Sequence, residues 1–214
     1  MPDVLLHEKE AWRSGFLRLA GIDEAGRGPL AGPVVAAAVI FEPASLQREY
    51  KATWAQLTDS KVMTEKQREA FFLKLSESTY VEFGIGIVEP PEIDKINILQ
   101  ATHRAMAKAA QQITPAFALV DGLPVSGLPC ESKSIVKGDA LSLSISAASV
   151  IAKVTRDRIM VDLSKKYPEY GFAEHKGYGT KKHLAALKKW GATPVHRKTF
   201  RPVAMLNQTD FSFL

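Results

Sequence analysis

A chain of 214 residues is long enough for one domain with a substantial core, or for one domain and a small appendage. With 46% hydrophobic and 24% charged residues it has the balance of an ordinary globular protein, and no apolar run approaches the roughly 20 residues of a membrane span. The net charge of +5, from 28 Lys+Arg against 23 Asp+Glu, favours a polyanionic partner, while the lone Cys130 excludes an intrachain disulfide and a multi-cysteine zinc site.

The first fifteen residues mix charges of both signs and form neither a signal peptide nor an anchor, so the expected location is the cytoplasm. Phe16 to Ile22 reads as a strand, and Val34 to Phe41, almost wholly small and apolar, as a second with both faces covered. Glu42 to Leu57 reads as polar and irregular. Thr64 followed by Gln67 is a capping-box pattern, which predicts a helix to about Ser76 that buries Phe71, Phe72 and Leu75. Tyr80 to Val88 alternates as a third strand, with Gly84 and Gly86 marking tight packing or a bulge. Pro90-Pro91 breaks the chain, and a helix from Ile93 to Gln112 follows, with Ile96, Leu99, Met106 and Ala110 on its apolar side. Ala116 to Val120 is a short strand ending on Asp121-Gly122, and Glu131 to Val136 is a fifth, closed by Lys137-Gly138-Asp139. Ala140 to Lys166 reads as one long helix, and Thr180 to Trp190 as a shorter one stopped by Gly191. There are no repeats and no convincing linker, so a single domain is expected.

The stretch with the most chemistry is Gly21-Ile22-Asp23-Glu24-Ala25-Gly26-Arg27-Gly28-Pro29. Two adjacent carboxylates at a strand end require water, a cation or a metal, because an unpaired charge is costly to bury. The flanking glycines let backbone N–H groups approach a ligand, and Arg27 is a planar five-donor cation suited to phosphate or sugar. A plain turn between strands is the bland alternative. Asp-Glu-Ala-Gly-Arg-Gly-Pro after an apolar strand resembles the signature of the ribonuclease HII family, the type 2 ribonucleases H. The resemblance runs over most of Phe16 to Pro202. It includes Asp59-Ser60-Lys61, the block from Ser146 to Asp157, His175-Lys176-Gly177-Tyr178-Gly179, and His196-Arg197-Lys198-Thr199-Phe200, where Thr199 stands at a position more often Ser. It implies a ribonuclease H-like α/β fold, a five-stranded mixed sheet flanked by helices, with a catalytic core over about 16–166 and a C-terminal helical extension over about 167–214.

Asp23 and Asp121 both stand where apolar strands end; on parallel neighbouring strands they lie about 5 Å apart. Glu24 and Asp139 can join them, and such a cluster calls for a hard divalent cation, Mg²⁺ or Mn²⁺ first. Two such ions suit in-line displacement at a phosphodiester. Taken singly, Asp121-Gly122 is equally a strand-to-turn signal and Gly138-Asp139 equally a helix N-cap. The family resemblance implies that Asp23, Glu24, Asp121 and Asp139 are the catalytic, metal-binding set, with Asp139 the more peripheral.

Telling RNA from DNA requires contact with the 2′-OH. The Gly26-Arg27-Gly28 backbone is placed to supply it. The resemblance assigns a second contact to Tyr178, whose counterpart packs on the sugar beside the ribonucleotide. Lys61, Lys153, Arg156 and Lys176 are candidate phosphate contacts, each weak alone, and Lys181, Lys182, Lys188 and Lys189 can track a duplex backbone. The implied activity is endonucleolytic cleavage of the RNA strand of RNA–DNA hybrids, and cutting 5′ to single ribonucleotides in duplex DNA, leaving 3′-hydroxyl and 5′-phosphate ends. A monomer is expected, with the tail Phe211-Ser212-Phe213-Leu214 a candidate sliding-clamp contact or a segment that packs back on the domain. Three rivals differ in signature. Ribonuclease HIII usually carries an added N-terminal domain, for which too few residues precede the first strand. A non-catalytic nucleic-acid-binding module predicts a disrupted acidic set. An ATPase-like protein needs a Gly-x-x-x-x-Gly-Lys-Ser/Thr loop, which is lacking.

Overall fold

A computed structural model describes residues 3–206. In chain order it holds α1 (Leu6–Arg13), β1 (Leu19–Ala25), β2 (Val34–Phe41), α2 (Pro43–Glu49), a π-helical turn (Tyr50–Trp54), α3 (Glu65–Glu77), β3 (Val81–Val88), α4 (Pro90–Ile113), β4 (Phe117–Asp121), β5 (Glu131–Ile135), α5 (Gly138–Leu141), α6 (Leu143–Lys166), a 3-10 turn (Pro168–Tyr170), α7 (Phe172–His175), α8 (Lys181–Trp190) and α9 (Val203–Leu206). Among these residues no helix is long and apolar enough to cross a membrane.

The five strands form one sheet in the order β3-β2-β1-β4-β5. β1, β2 and β3 make an antiparallel meander, while β4 runs parallel to β1 and β5 parallel to β4. Every residue of β2 is buried, because α4 covers one face and α6 the other. Small residues set how close the helices come. A Cβ on Gly86 would stand 1.9 Å from the Ala105 carbonyl of α4, and one on Gly21 would stand 2.1 Å from the Ser144 carbonyl carbon of α6. Gly84 and Gly86 therefore mark tight packing. α3 starts at Thr64 with both halves of the capping box in place.

Several elements differ from expectation. β1 runs on to Ala25, so Asp23 and Glu24 lie within the strand. The segment 42–57 is ordered: the Glu42 carboxylate caps α2 by accepting from the Ala44 and Ser45 amides, and Leu46 and Trp54 are buried. Pro90 and Pro91 open α4 instead of preceding it, because the fixed φ of proline suits a first turn whose N–H groups need no partner. Leu99 is exposed, close to the positive φ of Asn97 that interrupts α4; Met106 and Ala110 face the sheet as expected, together with Ala101, Ala105 and Ala109. The long helix expected from 140 divides at Ser142, whose hydroxyl accepts from the Ile145 amide and caps α6. From residue 167 the chain packs Tyr170, Phe172 and Leu187 against Met160 of α6 and Leu30 of the loop after β1.

Candidate active site

Register decides which carboxylates meet. Ile22 of β1 lies beside Val120 of β4, so Asp23 and Asp121 follow on adjacent parallel strands. Asp23 pairs across the sheet with Ala37, which belongs to the α6 side of the core; Glu24 pairs with Ala36, which belongs to the α4 side. Successive residues of a strand point to opposite faces. The α6 face also carries α5, whose Asp139 closes the group. Carboxylate oxygens of Asp23, Asp121 and Asp139 lie within 4.8 Å of one another, and the side chains of Asp23 and Asp139 are almost fully buried. Glu24 borders the same cleft from outside this trio and pairs with Arg27 at 3.4 Å. Asp139 thus sits closer to Asp23 and Asp121 than a peripheral role suggests, while Glu24 lines the cleft beside them.

Local bonds hold the three in place. Asp23 Oδ1 accepts from the Glu24 amide at 2.7 Å, and Asp121 Oδ1 from the Gly138 amide at 2.6 Å. Lys61 donates to Asp139 Oδ2 at 2.9 Å. Burial, with the nearby charges of Glu24 and Asp121, raises the Asp23 pKa well above the usual carboxylate range. Burial likewise raises Glu24, against the opposing charge of Arg27, and burial with the charge of Asp139 raises Asp121. Burial disfavours the Lys61 ammonium, but its bond to Asp139 more than offsets this and its pKa is raised. Three like charges, two buried and one half-buried, with only one ammonium bonded to them among the described residues, are a poor resting arrangement and a good receptor for hard divalent cations. Their donor set, all carboxylate oxygen, fits Mg²⁺ or Mn²⁺.

The cleft is completed by the backbone of 25–28, Ser60, Lys61, Lys153, Arg156 and the half-exposed Tyr178. A Cβ on Gly28 would come 3.6 Å from the Tyr178 ring, so the loop and this tyrosine face each other across a narrow gap. Gly26 has a φ of +94°, and a Cβ there would strike the Arg156 guanidinium, so only glycine fits. Lys153 borders the cleft paired with Asp157 at 2.8 Å.

Two expected phosphate contacts are corrected. Arg156 is 1% exposed, and its guanidinium donates to the carbonyls of Pro33, Lys176 and Ala31 at 3.0, 3.0 and 3.2 Å. Its donors are committed to the protein's own backbone, which makes it a clamp between two loops. Lys176 does not line the cleft; its ammonium donates to the Ala173 carbonyl. Sequence reasoning missed a second clamp, Arg197. It is fully buried and donates to Gly32, Arg27 and Gly26 carbonyls at 3.0, 2.8 and 2.5 Å. Burial, and then the charge of Arg156, brings its pKa down to about 9. The signal was present in the run His196 to Phe200, which carried no assigned role.

A family model described as Ribonuclease HII matches residues 20–203. A ribonuclease HII from Acholeplasma laidlawii is 50% identical over 206 residues, which is 95% of this chain and 97% of that protein. Among solved structures, the ribonuclease H2 of Pyrococcus horikoshii superposes with a TM-score of 0.70 at 28% identity, covering 89% of this chain and 97% of that one. A ribonuclease HII of Archaeoglobus fulgidus, solved as a PCNA:RNase HII complex, superposes with a TM-score of 0.70 at 25% identity, covering 86% and 96%.

Proposed function

Because this chain belongs to the ribonuclease HII family of metal-dependent nucleases, we propose that it hydrolyses the RNA strand of RNA–DNA hybrids and cuts 5′ to single ribonucleotides embedded in duplex DNA. The observation that carries this reading is one cleft in which Asp23, Glu24 and Asp121, a glycine-rich backbone and a half-exposed tyrosine lie side by side, with Asp139 within 4.8 Å of Asp23 and Asp121. Asp23, Glu24, Asp121 and Asp139 would hold two divalent ions, Mg²⁺ or Mn²⁺, which would supply Lewis acidity for the attacking water and the leaving oxygen.

The remaining residues select and orient. The backbone of Gly26, Arg27 and Gly28 meets the sugar, since two glycines leave their amides unobstructed. Tyr178 packs on the neighbouring sugar, opposite Gly28, and helps to read the 2′-OH that separates RNA from DNA. Lys61 and Lys153 stand at the cleft where a scissile phosphate would lie. Products carry 3′-hydroxyl and 5′-phosphate ends. The enzyme works as a cytoplasmic, single-domain monomer. The tail read as a candidate sliding-clamp contact, 207–214, lies outside the described residues.

The test uses a labelled DNA duplex with one ribonucleotide, an all-DNA duplex and a long RNA tract, each with Mg²⁺ or Mn²⁺. Cleavage 5′ to the ribonucleotide and nowhere in DNA is expected. Binding without cleavage under either metal would replace the reading with a non-catalytic module.

A further inference from the structure

Tyr178 is 48% exposed, and its position is set by its backbone. Its amide donates to the His175 carbonyl at 2.9 Å, and its carbonyl accepts from the Thr180 amide at 2.8 Å. The same carbonyl is 2.9 Å from Nδ1 of His183. His183 Nε2 is 3.0 Å from His196 Nε2, and His196 Nδ1 meets the Thr193 amide at 2.9 Å and the Thr193 hydroxyl at 2.8 Å. His183 and His196 are 0% and 1% exposed, and neither lines the cleft.

The two ends of this chain dictate every proton in it. A backbone N–H only donates, so His196 Nδ1 is bare and its proton sits on Nε2. That proton goes to His183 Nε2, which leaves the His183 proton on Nδ1, and the Tyr178 carbonyl can only accept it. Both imidazoles are neutral, and each nitrogen has one partner role. Rings of Tyr170 and Phe172 pack around the pair, and His175 stacks on His183 with centroids 4.6 Å apart. His175 also bonds the turn, accepting from the Gly177 amide at 3.2 Å.

We propose that His183 and His196 form a neutral hydrogen-bond relay that positions Tyr178 and thereby sets how well the enzyme recognises a single ribonucleotide. The proposal rests on the sugar-contact reading of Tyr178 given above. His183 and His196 are positioning residues, since neither reaches the substrate. The relay ties the tyrosine turn to the Thr193 loop, so the tyrosine is presented at a fixed height over the glycine loop.

Cleavage rates are compared on a duplex with one ribonucleotide and on a long RNA tract, for wild type, His183→Gln, His183→Asn and Tyr178→Ala. The ratio of the two rates cancels any loss of folded protein. Asparagine places its amide donor where Nδ1 stood, whereas glutamine places it nearer Nε2. His183→Gln is expected to lower the single-ribonucleotide rate relative to the tract by about tenfold, the effect of removing one ordering hydrogen bond. His183→Asn should stay within about threefold of wild type, since the carbonyl keeps its donor. A ratio unchanged in His183→Gln but lowered in Tyr178→Ala would overturn the relay alone. A ratio unchanged in Tyr178→Ala would remove the sugar contact and the relay's purpose with it. In the wild-type enzyme, imidazole nitrogen NMR should show His183 protonated at Nδ1 and His196 at Nε2; the opposite tautomers would refute the relay.

Discussion

Asp23 shows how a buried carboxylate beside other carboxylates strains the fold that holds it. Its folded pKa is raised, so the folded protein holds a proton more tightly than the unfolded chain. Stability contributed by this group is therefore greatest at low pH and declines as pH rises from the unfolded value toward the folded one. At neutral pH, Asp23→Asn is expected to raise the melting temperature of the metal-free protein by about 2–4 °C for each kcal/mol of repulsion removed. The same variant should lose at least about 100-fold in activity, as one missing ligand and charge dictate. A cleavage assay with Mn²⁺ and a thermal melt of the metal-free protein check both signs together. Histidine moves the other way. Burial, and then the repulsion that a protonated His183 would add, lowers the His196 pKa from 6.5 to about 4. The unfolded chain takes up a proton that the folded relay refuses, so this stability is complete above pH 6.5 and is lost as pH falls toward about 4. The gap in melting temperature between wild type and His196→Gln should narrow across that window, and a constant gap would show that His196 does not titrate this way. Arg197 makes a third case. Arg197→Met removes the donors from two buried carbonyls and a part-buried one. A loss of about 3–5 kcal/mol in urea unfolding is expected, since each unpaired buried group costs about 1–3 kcal/mol and the guanidinium's own desolvation is recovered in part.

At the level of elements, the site depends on β1 and α6 touching. Gly21 lies two residues before Asp23, on the α6 face, and a Cβ there would fall inside the Ser144–Ile145 peptide. Gly21→Ala must push α6 outward and with it α5, the carrier of Asp139. A loss of about 1–3 kcal/mol is expected from overpacking, with weaker Mn²⁺ binding, both readable by calorimetry. Strands β2 to β5 and helices α3 and α8 were legible because each has a clear period or cap. α1 was not. Its eight residues show no apolar stripe, and it docks through Glu8, which is fully buried and accepts from the Ser142 hydroxyl at 2.6 Å and the Ser144 amide at 2.9 Å. A carboxylate that reads as solvated in sequence becomes a helix cap once its partner is supplied from 134 residues away. α2 was missed for a related reason: its cap, Glu42, is exposed, and only Leu46 faces the core.

Across the whole molecule, a net charge of +5 surrounds an acidic cleft. Basic residues outside the cleft must then carry affinity for the duplex. Neutralising Lys181, Lys188 and Lys189 of α8 together should flatten the dependence of log Kd on log salt by about 0.9 for each duplex phosphate that no longer meets an ammonium, with little change in the rate at saturation. Binding titrations at several salt concentrations test this. The linear chain determined a good deal: the alternation of strands and helices, the all-buried β2, and the glycine loop that follows the paired carboxylates of β1. Those follow from local period, caps and motif. Tertiary structure alone decided that Asp139 comes within 4.8 Å of Asp23 and Asp121 while Glu24 borders the cleft from outside that group, because pleating sends adjacent residues to opposite faces and register chooses their neighbours. It alone decided that Arg156 and Arg197 bond backbone instead of phosphate. A guanidinium looks the same in sequence whatever it faces; burial and the carbonyls brought to it by the fold determine what it does.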